Sequence, residues 1–429
     1  MLAILGFAMV ISFMVLIMTK RLSAVPALIL VPLVFALFAG AGADWGKHIL
    51  DGVKQVTPTA VMLVFAVLYF GLMIDAGLFD PIVRKIVGWV GNDPLRLTVG
   101  HVLLASVVAL DGDGTTTLLV CVSALLPIYR RLGVSLLVFA TLGGLCSTLM
   151  NLSPWAGPTA RVASALKVEP SSLFVPLLPA IGAGLVCTLL MSVHFGRMSR
   201  KHARAVEASS DELVQNPLFP ERDADACRPR LLWFNLLLTI VVLLIVSFDL
   251  APLLSTFMVA FAIALVVNYP KMADQRTRLQ AHAGNVFAVA AMVFAAGAFT
   301  GLLSGSGMVN AMAKGFVSVL PEAAGPYLAS LTALASMPLT FFMSNDAFYF
   351  GVVPVIAEAA KAYGITPEQI GRASLLGQPV HGLSPLVAAV YLKCAILGIE
   401  LGDYQRFALK WTVGISLVAI VAALLVGAI

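Results

Sequence analysis

The sequence predicts an all-α polytopic membrane protein made of two inverted repeats of five transmembrane helices. Each repeat is expected to hold a re-entrant hairpin and a helix broken by Pro and Gly. Three observations predict this fold class. Hydrophobic residues make up 60% of the 429 residues and charged residues 11%, against soluble averages of about 45–50% and about 25%. Apolar runs long enough to cross about 30 Å of hydrocarbon recur along the chain, and the two halves share a pattern of matching residues.

The low charge content excludes several classes of protein. With 11% charged residues, the chain cannot cover a water-facing surface, which argues against a soluble enzyme, a nucleic-acid-binding protein or a disordered chain. The net charge of +5 is therefore expected to reflect Lys and Arg gathered on one side of a membrane rather than a polyanionic partner. Five widely spaced cysteines offer no zinc or redox spacing.

The spanning elements are read from the apolar runs. Two apolar tracts, 134–168 and 372–399, are interrupted in the middle by Pro and Gly, and each is predicted to be a broken helix. Two further apolar regions, 97–128 and 327–359, contain polar tips and are predicted to be hairpins. Uninterrupted runs of spanning length are found at 2–18, 24–42, 58–75, 172–193, 231–247, 251–268, 284–303 and 407–428.

The first hairpin is predicted to leave and return to the same side of the membrane. Arg96 precedes it and Arg130-Arg131 follow it, so cations flank both ends. Non-helical backbone at membrane depth is tolerated only where it is buried in protein or lines a cavity. The polar tips are therefore expected to line a cavity.

The distribution of Lys and Arg predicts the orientation. Most cations fall on the side that faces Lys20, which places both termini outside and the polar 196–230 segment in the cytoplasm. This segment is the only soluble-looking stretch. We expect it to be a linker between a first repeat, 1–195, and a second repeat, 231–429.

The two halves are related by an internal repeat. Leu152-Ser153-Pro154 recurs 231 positions later as Leu383-Ser384-Pro385, and Gly71-Leu72 recurs 230 positions later as Gly301-Leu302. Each half has five predicted crossings, an odd number, so the second half must enter from the opposite face. Inverted repeats with interrupted helices are typical of secondary transporters, whose site lies where the breaks meet near the midplane.

The first hairpin tip, 111–116, carries candidate metal- or proton-binding residues. Asp111 and Asp113 alternate with glycines, and Thr115 and Thr116 follow them. A carboxylate at membrane depth costs about 2.5–3.5 kcal/mol on insertion scales, so it is expected to face water, a cation or a proton route. Carboxylate and hydroxyl oxygens suit Mg²⁺ or Ca²⁺. A solvated turn remains an alternative, whereas a proteolytic Asp dyad would need one Asp on each of two helices.

The second tip supplies a further carboxylate. Ser344, Asn345 and Asp346 lie between apolar residues, with two Phe before them and Phe-Tyr-Phe after them. Helix capping would explain Ser and Asn. It would not require a third Asp inside the membrane, so Asp346 is also a candidate for metal or proton binding.

The two breaks are the other candidate binding elements. They run from Asn151 to Pro158, with Ser153 inside, and from His381 to Pro385, with Ser384 inside. Proline frees backbone carbonyls and leaves half-helix N-termini that favour anions. A simple kink is the alternative for either helix taken alone. His381 is the one histidine at a break and could take up a proton or have a structural role.

Each half has one cation beyond its break. Arg161 lies eight residues after Ser153, and Lys393 lies nine residues after Ser384. Both could bind carboxylates of an anionic solute, Arg161 with two hydrogen bonds. They could equally extend toward the membrane interface.

Three segments resemble bacterial citrate–metal:proton symporters, a family within the ion transporter superfamily. They are Tyr69–Pro81, Ala109–Thr117 and Met150–Arg161. The likeness extends over essentially the whole chain, and Leu-Asp-Gly-Asp-Gly-Thr-Thr is fairly specific to that family. The resemblance implies a homodimer with a scaffold and a moving transport domain that works as an elevator. In the superfamily's sodium-coupled dicarboxylate carriers the tips read Ser-Asn-Thr. Asp346 departs from that pattern and suits a proton or a divalent ion.

The resemblance implies proton-coupled import of citrate complexed with Mg²⁺ or Ca²⁺ across the bacterial inner membrane. The cation travels as part of the solute, and no permanently bound cofactor or enzymatic activity is expected. Another dicarboxylate or tricarboxylate, and an ion exporter, antiporter or channel, remain alternatives. A membrane enzyme would need a nucleophile–base pair that the sequence does not show. The expected substrate-binding residues are Asn151, Ser153, Thr159, Arg161, Ser344, Asn345 and Ser384, and the expected metal- or proton-binding residues are Asp111, Asp113, Thr115, Thr116, Asp346 and His381.

Overall fold

The computed structural model describes residues 1–19, 21–40, 42–203, 224–248, 250–319 and 321–429. All regular elements in these ranges are helices, as the composition predicts. Part of the expected linker 196–230, residues 204–223, lies outside the described residues.

The described residues of the first half form ten α-helices. A short apolar pair is followed by a long helix, an amphipathic helix, a helical hairpin and a helix pair separated by a break. They are α1 (Leu2–Met18), α2 (Ala24–Phe38), α3 (Trp45–Asp75), α4 (Asp80–Val90), α5 (Pro94–Val108), α6 (Gly114–Arg131), α7 (Leu136–Met150), α8 (Gly157–Leu166), α9 (Pro170–Phe174) and α10 (Leu178–Ala203).

The second half repeats this order of elements. It differs at the second tip, where a π-helix, Ala347–Val352, precedes the returning α-helix. Its α-helices are α11 (Leu232–Ser247), α12 (Leu253–Asn268), α13 (Met272–Gly305), α14 (Met308–Val319), α15 (Leu328–Phe342), α16 (Val353–Ala360), α17 (Pro367–Leu375), α18 (Gln378–His381), α19 (Ala388–Leu397) and α20 (Leu401–Leu425). Short 3₁₀ turns occur at Gly42–Asp44, Ala109–Asp111, Val175–Leu177, Ala224–Ala226, Pro229–Leu231, Glu322–Tyr327 and Lys361–Tyr363.

In the part of the chain that the structure describes, six helical segments are long and apolar enough to cross a membrane, which confirms a multi-pass protein. They are Trp45–Asp75, Pro94–Asp111, Pro170–Arg200, Pro229–Val246, Met272–Gly305 and Leu401–Leu425. Four shorter apolar helices accompany them: Leu2–Ile17, Ala24–Phe38, Leu136–Met150 and Leu253–Asn268.

Two helices extend well beyond the apolar runs that predicted them. The run 58–75 is the C-terminal part of α3, which begins at Trp45, and the run 284–303 lies inside α13, which begins at Met272. The first turns of both helices carry polar residues, so hydropathy detects only the apolar part of each. The amphipathic α4 and α14 were not predicted, for the same reason.

Helices α3 and α13 pack backbone to backbone and join the two halves. A Cβ on Gly52 would lie 2.0 Å from the carbonyl oxygen of Gly297, and one on Gly301 would lie 2.2 Å from that of His48. Small residues allow this close approach in membrane helices. Helix α2 packs on α13, and α12 packs on α3. Each long helix is therefore covered by the second helix of the opposite half.

The base of the first hairpin is joined to the C-terminal end of the spanning segment Pro170–Arg200. Asp93 caps α5 by accepting a hydrogen bond from the Leu95 amide at 3.0 Å, and Arg200 of α10 donates to the same carboxylate. The hydrogen bond from the Arg200 guanidinium lowers the pKa of Asp93 below its ordinary value. This contact ties the hairpin to the last spanning helix of its half.

Candidate functional site

The first tip is organised by the carboxylate of Asp113, which caps the N-terminus of α6. Its Oδ1 accepts from the Thr115 amide at 3.0 Å, and its Oδ2 accepts from the Thr116 amide and hydroxyl at 3.2 and 2.7 Å. Asp111 accepts from the Asp113 amide at 2.8 Å. Asp and Ser/Thr are favoured at such caps because they satisfy amides that have no intrahelical partner. The four predicted residues thus form one hydrogen-bonded turn.

The first break separates α7 from α8. The Asn151 Oδ1 and Ser153 Oγ atoms are buried and have no hydrogen-bond partner among the described residues. The Thr159 hydroxyl donates to the Leu152 carbonyl at 2.9 Å. Buried polar groups are normally paired, so Asn151 and Ser153 remain available for an additional partner, whereas the Thr159 hydrogen is already donated.

The first tip rests on the first break. The Trp155 indole Nε1 donates to the Leu110 carbonyl at 2.8 Å. Gly112, two residues after Leu110, has a φ of +78°. A Cβ at this position would lie 3.3 Å from the Trp155 ring. The left-handed backbone and the close approach both favour glycine at position 112.

The second break is joined to the second hairpin in the same way. The Ser384 hydroxyl donates to the Phe341 carbonyl at 2.7 Å, and His381 Nδ1 lies 2.6 Å from the Thr340 carbonyl. Because a carbonyl only accepts, His381 carries a hydrogen on Nδ1. Leu110 and Phe341 are 231 positions apart, which is the offset of the repeat. Matched carbonyls therefore receive hydrogen bonds from the two breaks.

The second tip is bonded to the helix before its break. The Asn345 Oδ1 accepts from Gln378 Nε2 at 3.0 Å, and the same Nε2 lies 2.5 Å from the Tyr349 hydroxyl. The Ser344 Oγ accepts from the Ala347 amide at 3.2 Å. Tyr349 lies in the π-helix, an element that often marks functional sites.

Arg161 and Asp346 form an ion pair across the two halves. Arg161 Nε lies 2.6 Å from Asp346 Oδ1, with side chains 25% and 15% exposed. The cation beyond the first break is thus paired with the carboxylate of the second tip. The sequence predicted both as site residues but did not predict that they meet.

A cavity of about 220 Å³ brings both tips and both breaks together. This is below the roughly 300–1,000 Å³ typical of drug-sized ligands, so a small solute would fit. Five predicted residues line it, namely Asp113, Thr115, Asn151, Asn345 and His381. The predicted residues that do not line it are Asp111, Thr116, Ser153, Thr159, Arg161, Ser344, Asp346 and Ser384.

Sequence reasoning missed several cavity residues. Gln378, a lone amide in the apolar tract before the second break, lines the cavity and bonds the second tip. His101 lines it from α5 although it lies at no break. An isolated polar residue inside an apolar tract is the signal that could have identified Gln378 and His101. Lys393, which the sequence analysis considered together with Arg161 but did not include among the expected site residues, lines the cavity from α19, whereas Arg161 does not.

Sequence comparisons with known proteins give matches over most or all of the chain. A sequence model of the family described as "Citrate transporter" matches residues 3–377. A citrate transporter of Bacillus subtilis (strain 168) is 52% identical over 432 residues, covering 100% of both chains. A Mg(2+)/citrate complex secondary transporter of the same organism is 46% identical over 430 residues, covering 100% of this chain and 99% of the relative.

A solved structure shows the same fold at low sequence identity. The crystal structure of the Alcanivorax borkumensis YdaH transporter superposes with a TM-score of 0.59 and 14% identity, covering 88% of this chain and 87% of that one. The match confirms the helical membrane fold class predicted from the sequence.

Proposed function

Since this chain belongs to the citrate transporter family, we propose that it imports citrate complexed with a divalent cation, driven by protons. The proposal rests on the cavity, which is lined by Asp113 and Thr115 of the first tip together with Asn151, Asn345 and His381. Carboxylate, hydroxyl and amide oxygens are suited to a hard cation and its polyanionic ligand. We take the solute from the names of the relatives: one is called a citrate transporter, and another a transporter of the Mg²⁺–citrate complex.

The cation is expected to arrive with its own ligands. Among the described residues, no group of three or more His, Cys, Asp or Glu side chains could hold a metal ion. A cation chelated by citrate needs few further oxygens, and Asp113 with Thr115 can supply them. Free citrate is about trivalent at neutral pH, whereas its Mg²⁺ or Ca²⁺ complex is close to monovalent. The complex is therefore easier to bury than the free anion.

The predicted citrate and proton roles follow from the bonding of each side chain. Asn151 and Asn345 line the cavity and can bind citrate oxygens. Asp346 is already paired with Arg161, so we do not assign the coupling proton to it. Asp111 accepts a hydrogen bond from one backbone amide, and we assign the coupling proton to it.

The elevator mechanism implied by the resemblance is supported by the bonding of tips to breaks. Trp155 joins the first break to the first tip, and Ser384 joins the second break to the second hairpin. These bonds allow tips, breaks and bound solute to move as one body relative to the α3–α13 pair. We propose that the chain works in this way as a homodimer in the bacterial inner membrane.

Uptake of labelled citrate by proteoliposomes tests the proposal. Wild-type protein is expected to accumulate citrate when Mg²⁺ or Ca²⁺ and an inward proton gradient are present, without a need for sodium. Asp113→Asn removes one charge but keeps a good helix cap. It should weaken uptake of the complex about 10- to 100-fold, as expected for a lost charge-assisted contact, and change the preference among divalent ions.

Asp93→Asn is the matched control, because Asp93 caps the other helix of the same hairpin outside the cavity. It should leave citrate uptake and its metal dependence unchanged. Citrate uptake that is indifferent to chelation of divalent cations would contradict the proposed solute. An effect of Asp113→Asn no larger than that of Asp93→Asn would contradict the role of Asp113.

A further inference from the structure

Lys393 is a cavity cation whose charge is not neutralised by any carboxylate in the described ranges. Its ammonium lies 3.3 Å from the Tyr404 hydroxyl and 5.3 Å from the centre of that ring. No described ion pair includes it. Its counterpart in the first half, Arg161, is neutralised by Asp346. Of the two cations beyond the breaks, Lys393 is the one that can bind an anion.

The hydrogen-bond geometry leaves most of the ammonium free. The Tyr404 hydroxyl donates to the Ala140 carbonyl at 3.1 Å, so it accepts from Lys393. A lysine ammonium has three donors, and this contact uses one. The remaining donors belong to a side chain that lines the cavity.

A second donor lines the same cavity. His101 is fully buried, and its Nδ1 lies 3.0 Å from the Tyr129 hydroxyl. The Tyr129 hydroxyl has no other described partner, and in the tautomer in which it donates to Nδ1 the hydrogen of His101 is on Nε2. That Nε2 is buried without a partner among the described residues. An unfilled buried donor is costly, and an anion would satisfy it.

Two adjacent glycines of α7 leave the space that these donors occupy. A Cβ on Gly143 would lie 3.0 Å from His101 Nε2, and one on Gly144 would lie 2.9 Å from Lys393 Nζ. Both glycines line the cavity. The two donors therefore approach neighbouring positions of one helix.

We propose that Lys393 and His101 form a carboxylate subsite that selects tricarboxylates over dicarboxylates. The inference rests on the proposed function and deepens it. A divalent cation held by the hydroxyl, the central carboxylate and one terminal carboxylate of citrate leaves the second terminal carboxylate free. Such a complex has a chelate end without net charge, where the metal can accept a further oxygen ligand, and an anionic end. Asp113 can bind the cation at the chelate end, and Lys393 can bind the free carboxylate at the anionic end.

Citramalate provides the matched probe, because it is citrate with one carboxymethyl group replaced by methyl. It keeps the hydroxyl and the two carboxylates of the chelate. In proteoliposomes, each compound with Mg²⁺ is used to inhibit uptake of labelled citrate by wild-type protein, Lys393→Gln and Lys393→Arg. Labelled citramalate uptake is measured in parallel. Lys361→Gln is the control, since Lys361 pairs with Glu358 outside the cavity.

The wild-type protein should prefer citrate over citramalate. Lys393→Gln should weaken citrate binding about 10- to 100-fold and leave citramalate almost unchanged, so that the preference disappears. Lys393→Arg should retain much of the preference because the charge remains, and Lys361→Gln should behave as wild type.

The failures of the two proposals are distinguishable. If wild-type protein takes up citrate with Mg²⁺ but Lys393→Gln weakens both compounds equally, or neither, the subsite is wrong and the proposed function stands. If wild-type protein takes up no citrate complex, the proposed function fails and the subsite fails with it. Thermal unfolding of each purified variant shows whether a loss of uptake reflects a loss of folded protein. Retained citramalate uptake by Lys393→Gln would itself show that this variant is folded.

Discussion

At the scale of single residues, the decisive contact is the ion pair between Arg161 and Asp346. Its two members come from different halves, and both side chains are mostly buried. A charge taken out of water is expensive unless it is paired. The pair therefore holds the first break against the second tip, and it removes Arg161 from the charges available to a solute.

We expect Asp346→Asn and Arg161→Gln each to destabilise the protein more than the double substitution does. Removing one partner of a buried pair costs about 3–5 kcal/mol, because it leaves the other charge unpaired. The effect should be smaller here, since a quarter of the Arg161 side chain is exposed. Thermal unfolding in detergent measures the three variants. Glu358→Gln, which breaks an exposed pair with Lys361, should shift the midpoint little. Additive losses in the double variant would show that the two charges are not coupled.

At the scale of elements, each break is bonded to the hairpin of its own half. Trp155 donates to Leu110 in the first half and Ser384 donates to Phe341 in the second. Trp155 also packs on Phe70 and Phe257, with ring centroids 5.1 and 5.3 Å away. The first tip is therefore supported by an aromatic cluster as well as by a hydrogen bond.

Trp155→Phe should lower the unfolding midpoint and weaken uptake. The substitution keeps an aromatic ring but leaves the Leu110 carbonyl without its donor, at a cost of about 1–3 kcal/mol. Trp233→Phe is the matched control, because Trp233 is 77% exposed. The unfolding midpoint and the rate of citrate uptake are measured for both variants and compared. Equal midpoints and equal uptake would show that the indole bond does not support the tip.

The sequence predicted these elements better than their contacts. Pro and Gly interrupt 134–168 and 372–399 by acting on the adjacent backbone, so the breaks can be read locally. Ser153 and Ser384 occupy the same place in the repeated tripeptide, yet the Ser384 hydroxyl donates to the Phe341 carbonyl and the Ser153 hydroxyl has no described partner. That difference depends on how closely a distant hairpin approaches, which the local pattern does not encode. The cavity positions of His101 and Gln378 are likewise set by packing between helices.

At the scale of the whole molecule, the order of elements in the first half recurs in the second. In both, a short pair precedes a long helix, an amphipathic helix, a hairpin and a broken helix. The two long helices pack on each other and on the second helix of the opposite half. The repeated order is observed, whereas the opposite orientation of the halves remains a prediction. That prediction requires an odd number of crossings, five, in the first half, because only then does the second half enter the membrane from the opposite face.

Single cysteines near the matched glycines Gly133 and Gly364, in a cysteine-free protein, test that orientation. Gly133 and Gly364 have φ of +62° and +75°, so a side chain there would be strained. Ser135→Cys and Ala362→Cys are better sites, because both residues are exposed and close in size to cysteine. If the repeats are inverted, a membrane-impermeant maleimide added outside sealed cells should label one position, and the other should react only after permeabilisation. By the distribution of Lys and Arg, Ser135 should be the cytoplasmic one. Labelling of both from the same side would rule out an inverted repeat and require an even number of crossings between the two positions.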